Sequence, residues 1–277
     1  MSNMEKPSGN IHKAINYIRN KMKGNNVFSQ AYDKLKNEGF IILLGSILLR
    51  LRMEFLLLPF ALIAIKTKKY KDLDDLLDFC FHGIGRLIRP LQVREELREL
   101  LKIVGERKPE VVIEIGTYNG GTLFPISRVI TENALIISID FPDVRFGGGY
   151  AWWKSSLFMG FKLRRQNLCL IRADSHEIAT LNRVKEILKG RKVDFLFIDG
   201  DHSYEGVKKD FELYSPLLSS SGLLAFHDIV VHPPEVGCEV NKFWKEVITS
   251  TKYKHTEIIN NPGQTSCGIG ILVEKKQ

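Results

Sequence analysis

The sequence predicts an α/β fold, a doubly wound and mainly parallel sheet with an added N-terminal helical region. Three observations carry this expectation. Short, wholly apolar runs recur between residues 111 and 228, each leads into a helical pattern or a loop, and glycines and acids gather where the runs end. A strand that is apolar at every position must be buried on both faces, as in a parallel sheet covered by helices. Such sheets bind ligands beyond the carboxyl ends of their strands, where these polar clusters fall.

Composition sets the outer bounds. With 277 residues, 44% hydrophobic and 26% charged, the chain has the make-up of an ordinary folded protein and not of a disordered one. The net charge of +8 suits an anionic partner, although many proteins are mildly basic without one. Cys80, Cys169, Cys238 and Cys267 are widely spaced and form no C-x-x-C pair. That spacing favours reduced thiols in a cytoplasmic setting over a disulfide frame or a zinc site. The opening residues are polar and basic with no apolar core, so export is not expected.

Residues 1–38 read as a basic, partly helical lead-in. The most apolar stretch of the chain, Gly39 to Lys66, follows. Arg50, Arg52 and Glu54 interrupt it near its middle, which disfavours a single membrane span of roughly 20 apolar residues. Two short helices, Ile41–Leu49 and Phe55–Ile65, fit better. They suit peripheral membrane contact, the protein core or a homo-oligomer interface, and Lys66, Lys68, Lys69 and Lys71 would favour an anionic cytoplasmic membrane face.

From Tyr70 the periodicity is helical. Leu73, Leu76, Leu77 and Phe81 share one face, and after Pro90 so do Val93, Leu97, Leu100, Leu101 and Val104, with Gly105 and Pro109 expected to end that helix. The runs VVIEI, ALIISID, LCLIRAD, VDFLFID and GLLAFHD then supply five strands. The helical patterns TLFPISRVI, HEIATLNRVKEILKG, YEGVKKDFELYSPLL and VNKFWKEVI lie between or after them. Phe141 to Phe158 forms a long insert after the second strand, in which Arg145, three glycines, Trp152 and Trp153 suit a lid or binding loop with a face for a sugar or nucleotide sugar, or aromatics that pack the insert on the core or a partner subunit.

The first strand and turn, VVIEIGTYNGGTLF, place Glu114 at the strand end, Gly116, Gly120 and Gly121 in the turn, and Thr122 where it could cap the next helix. The spacing E-x-G-x-x-x-G-G-T is not the dinucleotide fingerprint G-x-G-x-x-G, which disfavours a nicotinamide oxidoreductase. Asp140 closes the second strand where an acid can accept hydrogen bonds from ribose hydroxyls. Together, turn and acid point to an adenosine-type ligand. Asp201 and Ser203 can also cap the helix that starts near Tyr204.

Taken in order, EIGTYNGGT, SID, RADSHE, FIDGDHSYEGVKKDFELYSPLLSSSGLLAFHDI and GCEVNKFWKEV resemble the S-adenosylmethionine-dependent methyltransferases of the Rossmann-like class. More narrowly they are similar to the small-molecule O-methyltransferase branch with the cephalosporin-hydroxylase-like and sugar or macrolide enzymes. The resemblance spans about Val111 to Glu246 and implies two regions, a basic and apolar helical one over 1–85 and a methyltransferase domain over 86–277. It implies that Glu114, Gly116, Thr117, Tyr118, Gly120, Gly121 and Thr122 surround the methionine part of the cofactor and that Asp140 binds its ribose. Asp174, with Ser175 or His176, would border the adenine.

By the same resemblance, Asp199, Asp201 and Asp228 would hold Mg2+ or another divalent cation against the acceptor oxygens, and Asp201, His202 and His227 would be catalytic. His227 stands where this branch often has an acid. The residue could therefore serve as a general base, bind a softer metal or leave the site metal-free. The implied activity is methyl transfer to a hydroxyl of a small molecule or glycan. The alternatives are a non-catalytic, membrane-associated interaction protein on this scaffold and a nucleic-acid methyltransferase. The N/D-P-P-Y type motif of the latter is replaced by IDGDH after the fourth strand, so no nucleic-acid partner is expected.

Overall fold

The computed structural model describes residues 56–84, 87–142 and 149–275. The expected helix Ile41–Leu49 lies outside them, as do Arg145, Gly147 and Gly148 of the insert. One compact unit comprises Leu56–His232 and Cys238–Gln277; of the other, the described residues are Pro233–Gly237, which hold a short 3-10 turn at Pro234–Val236.

Residues 56–67 are helical (α1), followed by α2 (Leu73–His82) and α3 (Arg94–Arg107). The alternating part runs β1 (Val111–Ile115), α4 (Leu123–Val129), β2 (Leu135–Asp140), α5 (Lys154–Met159), β3 (Asn167–Arg172), α6 (Ile178–Leu188), β4 (Val193–Ile198), α7 (Tyr204–Tyr214), β5 (Leu218–His227) and α8 (Val240–Ile248). β6 (Tyr253–Ile258) and β7 (Ile269–Glu274) complete a seven-stranded sheet of order β3-β2-β1-β4-β5-β7-β6. The neighbours among β1–β5 pair in parallel, while β7 runs antiparallel to both β5 and β6.

Successive strand residues face opposite sides of a sheet, and the two cores follow that rule. On one face Val112, Ile136, Phe195, Phe197, Leu223 and Ala225 pack with α1 to α4; on the other Val111, Ile113, Ile137, Leu196 and Leu224 pack with α6 to α8. Every residue of β1 and β2 is buried. Each large apolar side chain removed from water in this way contributes about 1.5–3 kcal/mol.

Ala61 and Ile65 of α1 join the first core, together with Leu76, Leu77 and Cys80 of α2, so residues from 56 onward share the core of the sheet. The opposite side of α1 leaves Leu56, Phe60 and Ile63 outside. Asp72 caps α2 by accepting from the Asp75 amide. Gly105 does not end α3: it lies within the helix, where the position its Cβ would take is 3.4 Å from Val129 Cβ of α4. The chain leaves α3 at Lys108, in the left-handed conformation.

Candidate functional site

Sheet order reverses between β1 and β4, since β2 and β3 lie to one side of β1 and β4 and β5 to the other. The clusters expected from sequence converge at the carboxyl ends of these strands. Gly116 follows β1 with φ +93°, and a Cβ there would stand 1.9 Å from the Asp199 carbonyl oxygen. No other residue type fits that crossing of the β1 and β4 ends. Gly121 is equally confined, its Cβ position 2.5 Å from Pro90 Cα.

Asp140 ties the turn to β2. Its Oδ2 accepts from the amides of Thr117 at 3.0 Å and Tyr118 at 2.6 Å, and its Oδ1 from those of Phe141 at 2.8 Å and Gly149 at 2.9 Å. Four backbone donors therefore converge on one buried carboxylate. Burial raises its pKa, and the four amides oppose that shift. The insert is also anchored by Lys154, whose Nζ donates to Asn119 Oδ1 at 2.6 Å. Trp153 is buried while Trp152 is 72% exposed.

Glu114 and Thr122 form a buried pair behind the turn. Thr122 Oγ1 donates to Glu114 Oε1 at 2.6 Å and makes no helix cap, contrary to the role open to it in the sequence. An enclosed carboxyl needs donors more than the helix needs its cap. Ser138 donates to the other Glu114 oxygen at 3.3 Å. Burial first, then the charges of Asp199 and Asp140, push Glu114 up to about 8, so at neutral pH it is mainly a neutral acid.

After β3, Asp174 turns inward on its own loop, accepting from the His176 amide at 2.8 Å. The Ser175 carbonyl accepts from the Tyr214 hydroxyl at 2.8 Å. His176 Nε2 lies 3.4 Å from buried Asp210. This packing against α7 fixes the wall that the sequence assigned to adenine.

The acids and histidines after β4 and β5 separate into two groups. Asp201 accepts from the Ser203 amide at 2.8 Å, and its carboxyl lies over Gly206, where a Cβ would be 2.2 Å from Asp201 Cγ. Ser203 caps α7 by accepting from the Gly206 amide at 3.0 Å. Asp201 thus belongs to the helix start. Asp199 instead joins His202, His227 and Asp228: its Oδ1 is 3.1 Å from His227 Nδ1 and 3.4 Å from His202 Nε2. Asp228, held at φ +63°, places Oδ1 3.3 Å from His227 Nδ1 and 3.1 Å from His232 Nε2.

Burial works against the charge of His227, but Asp228 and Asp199 outweigh it and hold its pKa well above the ordinary value. Asp228 is correspondingly held well below the carboxylate range: its burial is outweighed by His227, His232 and His202. The His202 side chain is 45% exposed and offers the cluster's accessible edge. Sequence reasoning missed Gln92, whose Nε2 donates to Asp199 Oδ2 at 2.7 Å, and His232 as a partner of Asp228. Nothing in a glutamine 107 positions upstream signals that contact.

A hard cation such as Mg2+ wants an octahedral, oxygen-rich shell. Among the described residues Asp199, Asp201 and Asp228 do not meet as a ligand group, and the metal-competent groups are His202, Asp228 and Cys238, and His227, Asp228 and Cys267. These imidazole and thiol donors do not fit Mg2+.

Residues 113–229 match a family model described as a methyltransferase domain. An uncharacterized protein of Acanthamoeba polyphaga mimivirus is 27% identical over 191 residues, which are 66% of this chain and 83% of that one. An uncharacterized protein of Sinorhizobium fredii is 26% identical over 145 residues, 52% of this chain; the chain spans 16% of that protein's length. The crystal structure of the O-methyltransferase from Bacillus cereus in complex with SAH superposes at a TM-score of 0.52 and 16% identity, over 77% of this chain and 95% of that one. At this identity the likeness is one of fold.

Proposed function

We infer that this chain, which carries a methyltransferase domain over residues 113–229, moves a methyl group from S-adenosylmethionine to a hydroxyl of a small molecule or glycan. The observation that carries the reading is the cleft built by Gly116, Gly121 and the Asp140 carboxylate at the point where sheet order reverses. Gly116 and Gly121 let the turn pack against the Asp199 carbonyl and Pro90, and the turn so formed lies at the carboxyl end of β1, where such sheets bind ligands. Asp140 holds both walls, and ribose hydroxyls compete there with the amides of Phe141 and Gly149. The Bacillus cereus relative in fold was crystallised with SAH, the product form of this cofactor.

Asp199, His202, His227 and Asp228 stand beside that cleft because Gly116 packs directly on the Asp199 carbonyl. Methyl transfer needs an oxygen nucleophile in line with the sulfonium, and positioning supplies much of the rate. His202, the exposed member, takes the hydroxyl proton. Burial is outweighed by Asp199 and Asp228, which raise its pKa to about 9; a nearby sulfonium cation opposes that shift and moves the imidazole toward the neutral form that a base requires. Asp199 orients it, held in turn by Gln92. Glycans fit the insert, where Trp152 offers an exposed aromatic face.

The test is transfer of a labelled methyl group from S-adenosylmethionine to a panel of hydroxylated small molecules and sugars. Labelled product with the wild type and at least a hundred-fold less with His202→Ala supports the reading. Equal rates for both enzymes remove His202 from the mechanism, and transfer to nucleic acid alone replaces the acceptor class.

A second reading concerns where the enzyme works. Leu56, Phe60 and Ile63 recur at helical spacing on the exposed side of α1, 67%, 69% and 60% accessible, and exposed Lys66 and Lys69 follow. An apolar stripe beside basic residues supports peripheral contact with an anionic cytoplasmic membrane face. Among the described residues no helix is long and apolar enough to cross a membrane.

A further inference from the structure

We propose that Glu96 is a positioning residue for the acceptor side of the site: its buried carboxylate holds the loop between β6 and β7 against the exit of β5, beside His227 and Asp228. The role rests on the methyl-transfer reading. Glu96 falls in the first turn of α3, where an acid ordinarily faces water and complements the helix dipole. Its neighbour Glu95 is exposed in that way, but Glu96 is 0% exposed. A carboxylate removed from water is costly unless donors surround it.

Among the described residues, the donors come from that one loop. Glu96 Oε1 accepts from the Asn260 amide at 3.1 Å and from Gln264 Nε2 at 2.7 Å, and Oε2 accepts from the Gly268 amide at 2.9 Å. These contacts take in the beginning, the middle and the end of residues 260–268. Gln264 also ties the loop to itself: its Oε1 accepts from the Asn261 amide at 2.9 Å and its Nε2 donates to the Ser266 carbonyl at 2.8 Å. Residues 260–263, 265 and 266 are exposed, so the loop has little apolar surface of its own to bury. Its order depends on Glu96.

The end of this loop lies on the cluster of acids and histidines. The Ile229 amide donates to the Gly268 carbonyl at 3.3 Å and the Val230 amide to the Cys267 carbonyl at 3.1 Å. Cys267 Sγ lies within 4.8 Å of a ring nitrogen of His227 and of a carboxylate oxygen of Asp228. Cys267 holds a left-handed conformation, φ +64°, which persists in a residue with a side chain only where its surroundings fix it. The other flank of the cluster is held from the same stretch of chain, since Gln92, just before α3, donates to Asp199 Oδ2 at 2.7 Å. The start of α3 thus grips both sides, Asp199 through Gln92, and His227 with Asp228 through Glu96 and the loop. Releasing the loop shifts the wall against which an acceptor hydroxyl is oriented, and small misplacements of that kind are costly.

Glu96→Gln tests the role, because it keeps the shape of the side chain and replaces one acceptor oxygen with a donor. The full chain is treated with iodoacetamide, and modification of each cysteine is followed by peptide mass spectrometry. Cys267 should react at least five-fold faster in Glu96→Gln than in the wild type, while Cys169, on β3 at the far edge of the sheet, keeps its rate. Gln264→Ala removes one donor without altering α3 and should also speed Cys267, with the double variant going no further than Glu96→Gln. With the acceptor of the hydroxylated panel that the wild type methylates fastest, both single variants should raise the acceptor KM at least five-fold and leave S-adenosylhomocysteine affinity within two-fold. A residue that only stabilises the fold would not move KM. An unchanged Cys267 rate, equal acceleration of Cys267 and Cys169, or an unchanged KM overturns the role of Glu96 while methyl transfer by the wild type stands. A wild type that transfers no methyl group overturns the methyl-transfer reading itself, and the role of Glu96 with it.

Discussion

Gln92 Nε2 donates to Asp199 Oδ2 at 2.7 Å and so joins the segment before α3 to the end of β4. Both groups are largely removed from solvent. Gln92→Leu deletes the donor while keeping similar bulk, leaving one Asp199 oxygen unpaired. Hydrogen bonds to charged groups contribute about 1.5–3 kcal/mol. Steady-state kinetics should show kcat lowered about ten-fold or more, with S-adenosylhomocysteine affinity within two-fold of the wild type. Equal losses in both would make Gln92 a general stability residue.

Gly116→Ala should be far more damaging than its size suggests. The added Cβ meets the Asp199 carbonyl at 1.9 Å, and φ +93° is strained for any side chain. Thermal unfolding should show a loss of more than about 2 kcal/mol, beyond the ordinary range for a surface change. Gly190→Ala is the control, since it shares a positive φ of +81° but has open space around it. Similar losses for both would mean that strain, not the crossing of the strand ends, sets the cost.

Glu114 predicts a pH dependence of stability. Its pKa rises from 4.5 to about 8 on folding, so the folded state keeps a proton that the unfolded state releases. Its contribution is therefore full below about pH 4.5 and is lost as pH rises toward about 8. Glu114→Gln mimics the neutral acid and keeps the acceptor for Thr122. Denaturant unfolding between pH 5 and pH 8 should show a shallower decline for Glu114→Gln than for the wild type. Parallel curves would show that Glu114 is ionised in the fold.

The five parallel strands were legible because each is an unbroken apolar run, and the glycine turn because only glycine tolerates its crossing. Thr122 was misassigned as a cap since sequence spacing cannot show that buried Glu114 claims its hydroxyl. β6 carries a weaker signal: YKHTEI is largely exposed and polar, and its pairing with β7 is set by the sheet. The acids of IDGDH stood out as a cluster, but their division was invisible. A two-residue step places Asp199 among the histidines and Asp201 over Gly206.

The exposed side of α1 yields its own test. Phe60→Ser and Ile63→Ser should leave unfolding free energy within about 0.5 kcal/mol of the wild type, as expected for surface positions, because Ala61 and Ile65 carry the packing. Flotation of the full chain with vesicles of anionic lipid should fall in the double variant. Unaltered flotation, or self-association without any flotation, would contradict the membrane reading.

The cofactor cleft is the centre of the account, and calorimetric titration with S-adenosylhomocysteine tests it most directly. The wild type should bind one equivalent saturably, and Asp140→Asn, which keeps the shape of the side chain but loses its charge, should bind at least ten-fold more weakly while remaining folded by circular dichroism. That loss corresponds to about 1.4 kcal/mol or more, within the range for charge-assisted hydrogen bonds. No heat of binding from the wild type, or equal affinity in both proteins, would contradict the assignment of this cleft.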